Sequence, residues 1–264
     1  GATTLGDANL VTSLGSFSAA GFSLNNSQAL TVNGAVDGGG STTIDSTGNL
    51  VLASNVSGTT MTLNAGGTID QTGGIVTATT LNLGSVGGAS LTGNNLVTSL
   101  GTVTNTGSGG LSFTDASDLN LAGAVDVGSA SGNDVVLTIT GNLTQSGGSV
   151  ITADQFGGSS SGNTSLGGSN RLNTLGSFAA ANLALTNAQA LAVNGPLTVP
   201  GTLSLTTTAG GLSLATDLSA TTVSLTSAAA LSLANNIDAT TLSLTSTRPI
   251  GQSAGALAVS GTTT

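Results

Sequence analysis

At 264 residues the chain can build one large domain or two ordinary ones. Only 5% of it is charged, all 11 acids are Asp, and two arginines against them give a net charge of −9, which excludes a basic footprint for nucleic acid and disfavours anionic membrane surfaces. There is no Cys, His, Lys, Glu, Trp or Tyr, so disulfides, thiolate metal sites and most general acid–base chemistry are excluded too.

The Gly/Ser-rich composition raises disorder as a possibility, but 38% of the residues are hydrophobic and they recur at regular intervals. Their spacing is two rather than 3.6, and Gly, Ser, Thr and Asn are poor helix formers, so strands are expected. No apolar run approaches the roughly 20 residues of a membrane helix. The sequence starts at Gly1 without an apolar leader, so any targeting signal is expected outside this segment or already removed.

In chain order, the first third carries three interleaved series. The first is Phe22/Leu24, Thr42/Ile44, Met61/Leu63 and Leu81/Leu83; the second is Leu30/Val32, Leu50/Leu52 and Ile69/Gln71; the third is Val36, Val56 and Ile75. The last third repeats them. Its first series is Leu183/Leu185, Leu203/Leu205, Val223/Leu225 and Leu242/Leu244, at intervals of 20, 20 and 19. Its second is Leu191/Val193, Leu212/Leu214, Leu231/Leu233 and Ile250/Gln252, and its third is Leu197, Leu218, Ile237 and Ala256. An apolar-x-apolar triplet puts both apolar side chains on one face of a strand. Turn-forming Gly, Asn, Asp and Ser fill the gaps. Three such strands cannot bury a core alone, but they can when stacked on the next period. The fold class expected is therefore all-β, a right-handed parallel β-helix (β-solenoid) with three sheets and about 19–20 residues per coil. About thirteen coils would make a rod on the order of 60 Å long.

A longer repeat overlies the short one. LGSFSAAGFSLNNSQALTVNG at 14–34 returns as LGSFAAANLALTNAQALAVNG at 175–195, identical at 14 of 21 positions. NLVTSLG at 9–15 recurs at 95–101, and Gln71, Gln145 and Gln252 mark the later part of each unit. One solenoid, 1–264, is expected, with superrepeats 1–86, 87–161 and 162–264. The middle unit has an enlarged coil, because Leu111/Phe113 to Val135/Leu137 is 24 residues, and the surplus is expected to bulge at 127–133, VGSASGN. The Gly/Ser stretch 157–162 keeps the spacing of a coil and is taken as part of it rather than as a linker.

Units that join GGASLTGNNLVTSLG (87–101) to a preceding TIDQTGGIVTATTLNL (68–83) resemble the repeat regions of filamentous-haemagglutinin-type bacterial exoproteins, the two-partner secretion adhesins and related autotransporter passengers. The resemblance implies a secreted or cell-surface location, export through an outer-membrane transporter, and a part in adhesion, aggregation or biofilm. The function expected is a structural shaft of a large surface adhesin or extracellular fibre, not an enzyme. The alternatives are a glycan- or partner-binding β-helix module and, behind it, a polysaccharide-degrading β-helix enzyme.

Individual residues offer few sites. A lyase would need clustered carboxylates beside a base, yet Arg171 and Arg248 lie nearly four coils apart with no acidic cluster nearby in sequence. Asp115/Asp118 and Asp126/Asp134 could hold Ca²⁺ through oxygen ligands, but turn aspartates that keep a rod soluble are the simpler expectation. Outward Thr at 77–80 and at Thr240 and Thr241 would need a flatter, more regular array to bind ice. Gln71, Gln145 and Gln252 take an apolar slot, and their amides are expected to turn inward at a corner and bond backbone there, since a buried unpaired amide costs roughly 1–3 kcal/mol. Asn25, Asn55, Asn142 and Asn163 stand in N-x-S/T sequons. No catalytic residue, metal or cofactor is assigned. The partners expected are adjoining coils of the same or neighbouring chains, end-to-end or lateral, with surface glycans as a further candidate and no nucleic acid. Neither end of the sequence carries a polar cap, so the terminal coils would present unpaired strands.

Overall fold

The computed structural model describes residues 1–264. It is all-β without a helix, and its parallel strands stack as a solenoid of about 13 turns with about 20 residues per turn. The register follows the period. Phe22 pairs with Thr42 and Leu24 with Ile44; these continue to Met61 and Leu63, then Leu81 and Leu83. Leu30 and Val32 pair with Leu50 and Leu52, which pair with Ile69 and Gln71. In the last third, Leu203 pairs with Val223 and Val223 with Leu242, while Leu212 pairs with Leu231 and Leu231 with Ile250.

The inward aliphatics form one continuous core from Phe22 to Leu242. Burying each large aliphatic contributes about 1.5–3 kcal/mol, and the columns let every coil share that burial with the coils on either side. The third series needs a one-residue correction. Val76, not Ile75, pairs with Val56, and Leu257, not Ala256, pairs with Ile237. Ile75 is exposed. Both neighbours of each pair are apolar, so spacing alone does not choose between them.

The many Asn and Asp residues between strands also have a role. At the corners, a side-chain oxygen of one coil accepts a backbone N–H of the next. Asn55 takes Ile75 N–H at 2.9 Å, Asn82 takes Thr102 at 2.9 Å, Asp118 takes Asn142 at 2.7 Å, and Asn182 takes Thr202 at 2.7 Å. Turn N–H groups that no ladder reaches are satisfied this way. No buried side-chain N or O atom lacks a hydrogen-bond partner.

Superrepeats meet through two long strands, Ala89–Asn105 and Asn163–Ala179. Each wraps from one face onto the next. Ile69, in the second series of the first unit, pairs with Ala89, and Ala89 pairs with Leu111, in the first series of the second unit. Meanwhile Leu81 and Leu83 pair with Leu100 and Val103, which pair with Leu121 and Val125 in the short strands of the second unit. At the junction the faces therefore shift: the second series continues as the first of the next unit, and the first divides between the strands Leu119–Leu121 and Val125–Gly128. The second junction repeats the shift: Leu137 pairs with Gly158 and Gly158 with Phe178, while Phe178 pairs with Leu197. Gly158 occupies an inward slot with φ of 121°, and a Cβ there would lie 1.9 Å from Leu137 O. Beside it, Phe178 stacks on Phe156, with ring centroids 5.4 Å apart.

Candidate functional site

The titratable residues do not converge. No group of three or more acidic side chains is placed to hold a metal ion. Arg171 lies on an outward position, paired with Thr152, and Arg248 is exposed on the turn after strand Ile237–Ser246. Asp118 is a corner acceptor for Asn142, and Asp126 accepts Gly128 N–H at 3.0 Å. Asp134 shares a shallow groove of about 320 Å³ with Asp70 and Gly132.

Asp115 departs from the expected solvated turn aspartate. Its side chain points into the core at 0% exposure. One carboxylate oxygen accepts Val97 N–H at 2.8 Å, and the other accepts Ser117 N–H at 2.9 Å and Ser117 Oγ at 2.7 Å. Burial pushes its carboxyl above the ordinary value, against the lowering effect of the Ser117 and Val97 donors. Its place in the ladder is that of an asparagine. Asn9 pairs with Asn26, Asn95 with Asp115, and Asn170 with Asn187. Asn26 accepts Val11 N–H at 2.8 Å and Asn187 accepts Leu172 N–H at 2.9 Å, as Asp115 does for Val97.

The expected bulge is present. Leu111 pairs directly with Val135 across the enlarged coil, so the sheet stays in register. Strand Val125–Gly128 ends at Gly128, and residues 129–132 stand exposed beyond it. The loop is held from inside by Asn133, whose Nδ2 donates to Val127 O at 2.6 Å while its Oδ1 accepts Gly109 N–H at 3.0 Å. Outside, Asp154 accepts Gly132 N–H at 3.2 Å, and Asn173 donates to Ser129 O at 3.1 Å and Asp154 at 3.0 Å.

All three glutamines turn to backbone, exposed Gln252 by donating to Gly255 O at 2.9 Å, and Gln71 and Gln145 each also find an amide that the sequence did not single out. Gln71 Nε2 donates to Gly74 O at 3.0 Å and to Asn95 Oδ1 at 2.8 Å; Gln71 Oε1 accepts Gly93 N–H at 2.9 Å and Asn95 Nδ2 at 3.1 Å. Gln145 repeats this with Ser149 O at 3.1 Å, Asn170 Oδ1 at 2.8 Å, Gly168 N–H at 2.9 Å and Asn170 Nδ2 at 3.2 Å. The same asparagine oxygens accept Val76 N–H and Ile151 N–H, both at 2.8 Å. Each superrepeat junction is thus closed by a reciprocal Gln–Asn clasp. The recurrence of Asn at the head of NLVTSLG was the available signal.

Outward hydroxyls form straighter rows than the linear sequence suggests. Thr186, Thr206, Thr226 and Thr245 pair in succession, beside Ala184, Ser204, Ser224 and Ser243. Thr202, Thr222, Thr241 and Thr262 make another row. All four sequon asparagines are engaged, three as acceptors: Asn55 and Asn142 accept backbone N–H groups, and Asn163 accepts Asn182 Nδ2 at 2.6 Å. Asn25 Nδ2 donates to Gly6 O at 3.2 Å. Comparison with family models, curated proteins and solved structures finds no match for this chain.

Proposed function

We propose that the chain is a non-catalytic shaft segment of a large secreted bacterial surface adhesin or extracellular fibre, acting in adhesion, aggregation or biofilm. The observation that carries this reading is a continuous aliphatic core inside faces of small hydroxyls, on which acids and arginines are dispersed rather than gathered. Such a rod holds its ends a fixed distance apart. The sequence resemblance given above supports the cellular setting.

The test is to excise residues 87–161 from the surface-displayed protein, which removes roughly four coils and on the order of 20 Å. Adhesion or aggregation should fall, and an unrelated solenoid of equal length should restore it. Failure of that replacement would favour the second reading, a glycan- or partner-binding module. The observation behind the second reading is the pinned, outward loop at 129–132. A glycan array with and without that loop separates the two.

A further inference from the structure

The shaft reading leaves one polar groove without a role. It lies on the face built from strands Leu119–Leu121 and Leu143–Gln145 and the start of strand Asn163–Ala179, and its volume is about 490 Å³. Two outward columns line it. Asp118, Asn142 and Asn163 form the first, each one coil further along the rod. Asn120, Thr144 and Ser165, two residues on in each strand, form the second. Thr98 stands at one end. At the other, Ala184 pairs with Ser165 and interrupts the second column.

The first column is fixed before anything binds. Asp118 Oδ1 accepts Asn142 N–H at 2.7 Å, Asn142 Oδ1 accepts Asn163 N–H at 2.9 Å, and Asn163 Oδ1 accepts Asn182 Nδ2 at 2.6 Å. Glycine precedes both asparagines, and a Cβ on Gly141 or Gly162 would collide with Asp118 Oδ1 or Asn142 Oδ1. In the second column Asn120 Nδ2 donates to Ser146 Oγ at 2.9 Å, and its Oδ1 accepts Thr144 Oγ1 at 3.3 Å. These bonds leave groups over. Asp118 Oδ2 has only a 3.4 Å contact, from Asn142 Nδ2. Asn163 Nδ2 and Ser165 Oγ have no partner within the protein, and both residues are exposed. An acceptor, a donor and a hydroxyl that serves as either are therefore held in one groove.

The chemistry selects a class of ligand. One carboxylate and no cation repel phosphate, sulfate and uronate groups, as does the net charge of −9. Amides, hydroxyls and a carboxylate match the hydroxyls of neutral sugars. The period selects a shape. Coils advance by about 4.8 Å, close to the advance of one ring in an extended, equatorially linked pyranose chain, so successive rings meet equivalent positions of the two columns. We propose that the groove binds a neutral, extended β-linked glycan along the rod axis, one sugar per coil. No aromatic ring lines the groove to stack on a sugar, so affinity rests on hydrogen bonds alone, with a Kd on the order of 1 mM for one site.

This inference does not rest on the shaft reading; its failure would leave that reading standing. It also differs from a site on the 129–132 loop, which is pinned by Asp154 and Asn173. The test is affinity electrophoresis of the full chain through gels containing mixed-linkage β-glucan, with polygalacturonate as the acidic counterpart. β-Glucan should retard the chain and polygalacturonate should not. Titration with cello-oligosaccharides, followed by amide NMR, should shift the Asn142 and Asn163 side-chain signals. Affinity should rise about tenfold from cellobiose to cellotetraose and then level off, because the groove spans only the coils of Asp118, Asn142 and Asn163. Thr144→Val/Ser165→Val removes both hydroxyls at exposed strand positions, so its melt should be unchanged and its affinity should fall about tenfold. Ser213→Val/Ser232→Val, the same change at exposed positions of strands Leu212–Leu214 and Leu231–Leu233, should bind as the wild type does, and so should a chain with the 129–132 loop shortened. Absence of both retardation and shifts, preference for polygalacturonate, equal loss in the two double variants, or loss of binding with the loop would each overturn the proposal.

Discussion

In residues 202–246 each coil copies the one before. Leu203, Val223 and Leu242 stack, as do Thr202, Thr222 and Thr241, and no carboxylate or asparagine enters the interior. Between Asn95 and Asn187 the same rod buries Asn95, Asp115, Asn133, Asn170 and Asn187 among its aliphatics. The difference separates two tasks. A leucine column stabilises, but one leucine stacks on another equally well in many arrangements. A buried amide tolerates only the arrangement that meets all its donors and acceptors, so the polar interior fixes where one superrepeat hands over to the next. The face shift occurs at the strands that carry Asn95 and Asn170.

The sharpest way to break the handover is Gly158→Ala. The change forces an L residue to a φ of 121° and puts a Cβ 1.9 Å from Leu137 O. A loss of about 3–5 kcal/mol is expected, seen as collapse of hydrogen-exchange protection from Leu137 to Phe178. Leu225→Ala tests the regular region. Leu225 is fully buried between Leu205 and Leu244, and a cost of about 3 kcal/mol is expected, confined to the neighbouring coils because each coil touches only its neighbours. Asn170→Ala should cost about 2 kcal/mol, less than the leucine, by stranding Ile151 N–H and Gln145. Its distinguishing effect is on register: junction protection should fall while that of 202–246 stays. Equal loss in both regions would undo the proposed division of labour.

The period, the first two series with their register, and the bulge at 127–133 were legible, because burial at every second residue leaves its trace in one coil and stacking repeats it in the next; the third series was legible only to within one residue. The polar interior was not. Asn26, Asn95 and Asn170 each lie near the end of an apolar run, where turn propensity predicts asparagine anyway. Asn55, a solvent-side corner residue, looks the same in sequence as Asn95, a core residue. Only the opposing coil distinguishes them, since Asn95 faces Gln71 and Asp115 while Asn55 faces a turn N–H. The face shift was hidden for a related reason: the superrepeats align well in sequence, with Asn9, Asn95 and Asn170 in equivalent places, yet that alignment is silent about which face each one begins on.

Asp115 refines the comparison by its pH dependence. Its carboxyl is raised in the folded protein, chiefly by desolvation. The folded state therefore favours the neutral acid, and the stability this gives is fully present below the unfolded value of about 3.9 and lost as pH rises through the folded one. Against Asp115→Asn, the wild-type chain should lose ground as pH rises from acid toward neutrality. The asparagine can offer Oδ1 to Val97 N–H, as Asn26 does for Val11 and Asn187 for Leu172. The difference between the two melts at each pH cancels the titration of the ten other aspartates, which both proteins share. If the wild type instead gained on the variant with rising pH, the three donors around Asp115 would outweigh its burial, and the site would be a built carboxylate pocket rather than an asparagine position occupied at a cost.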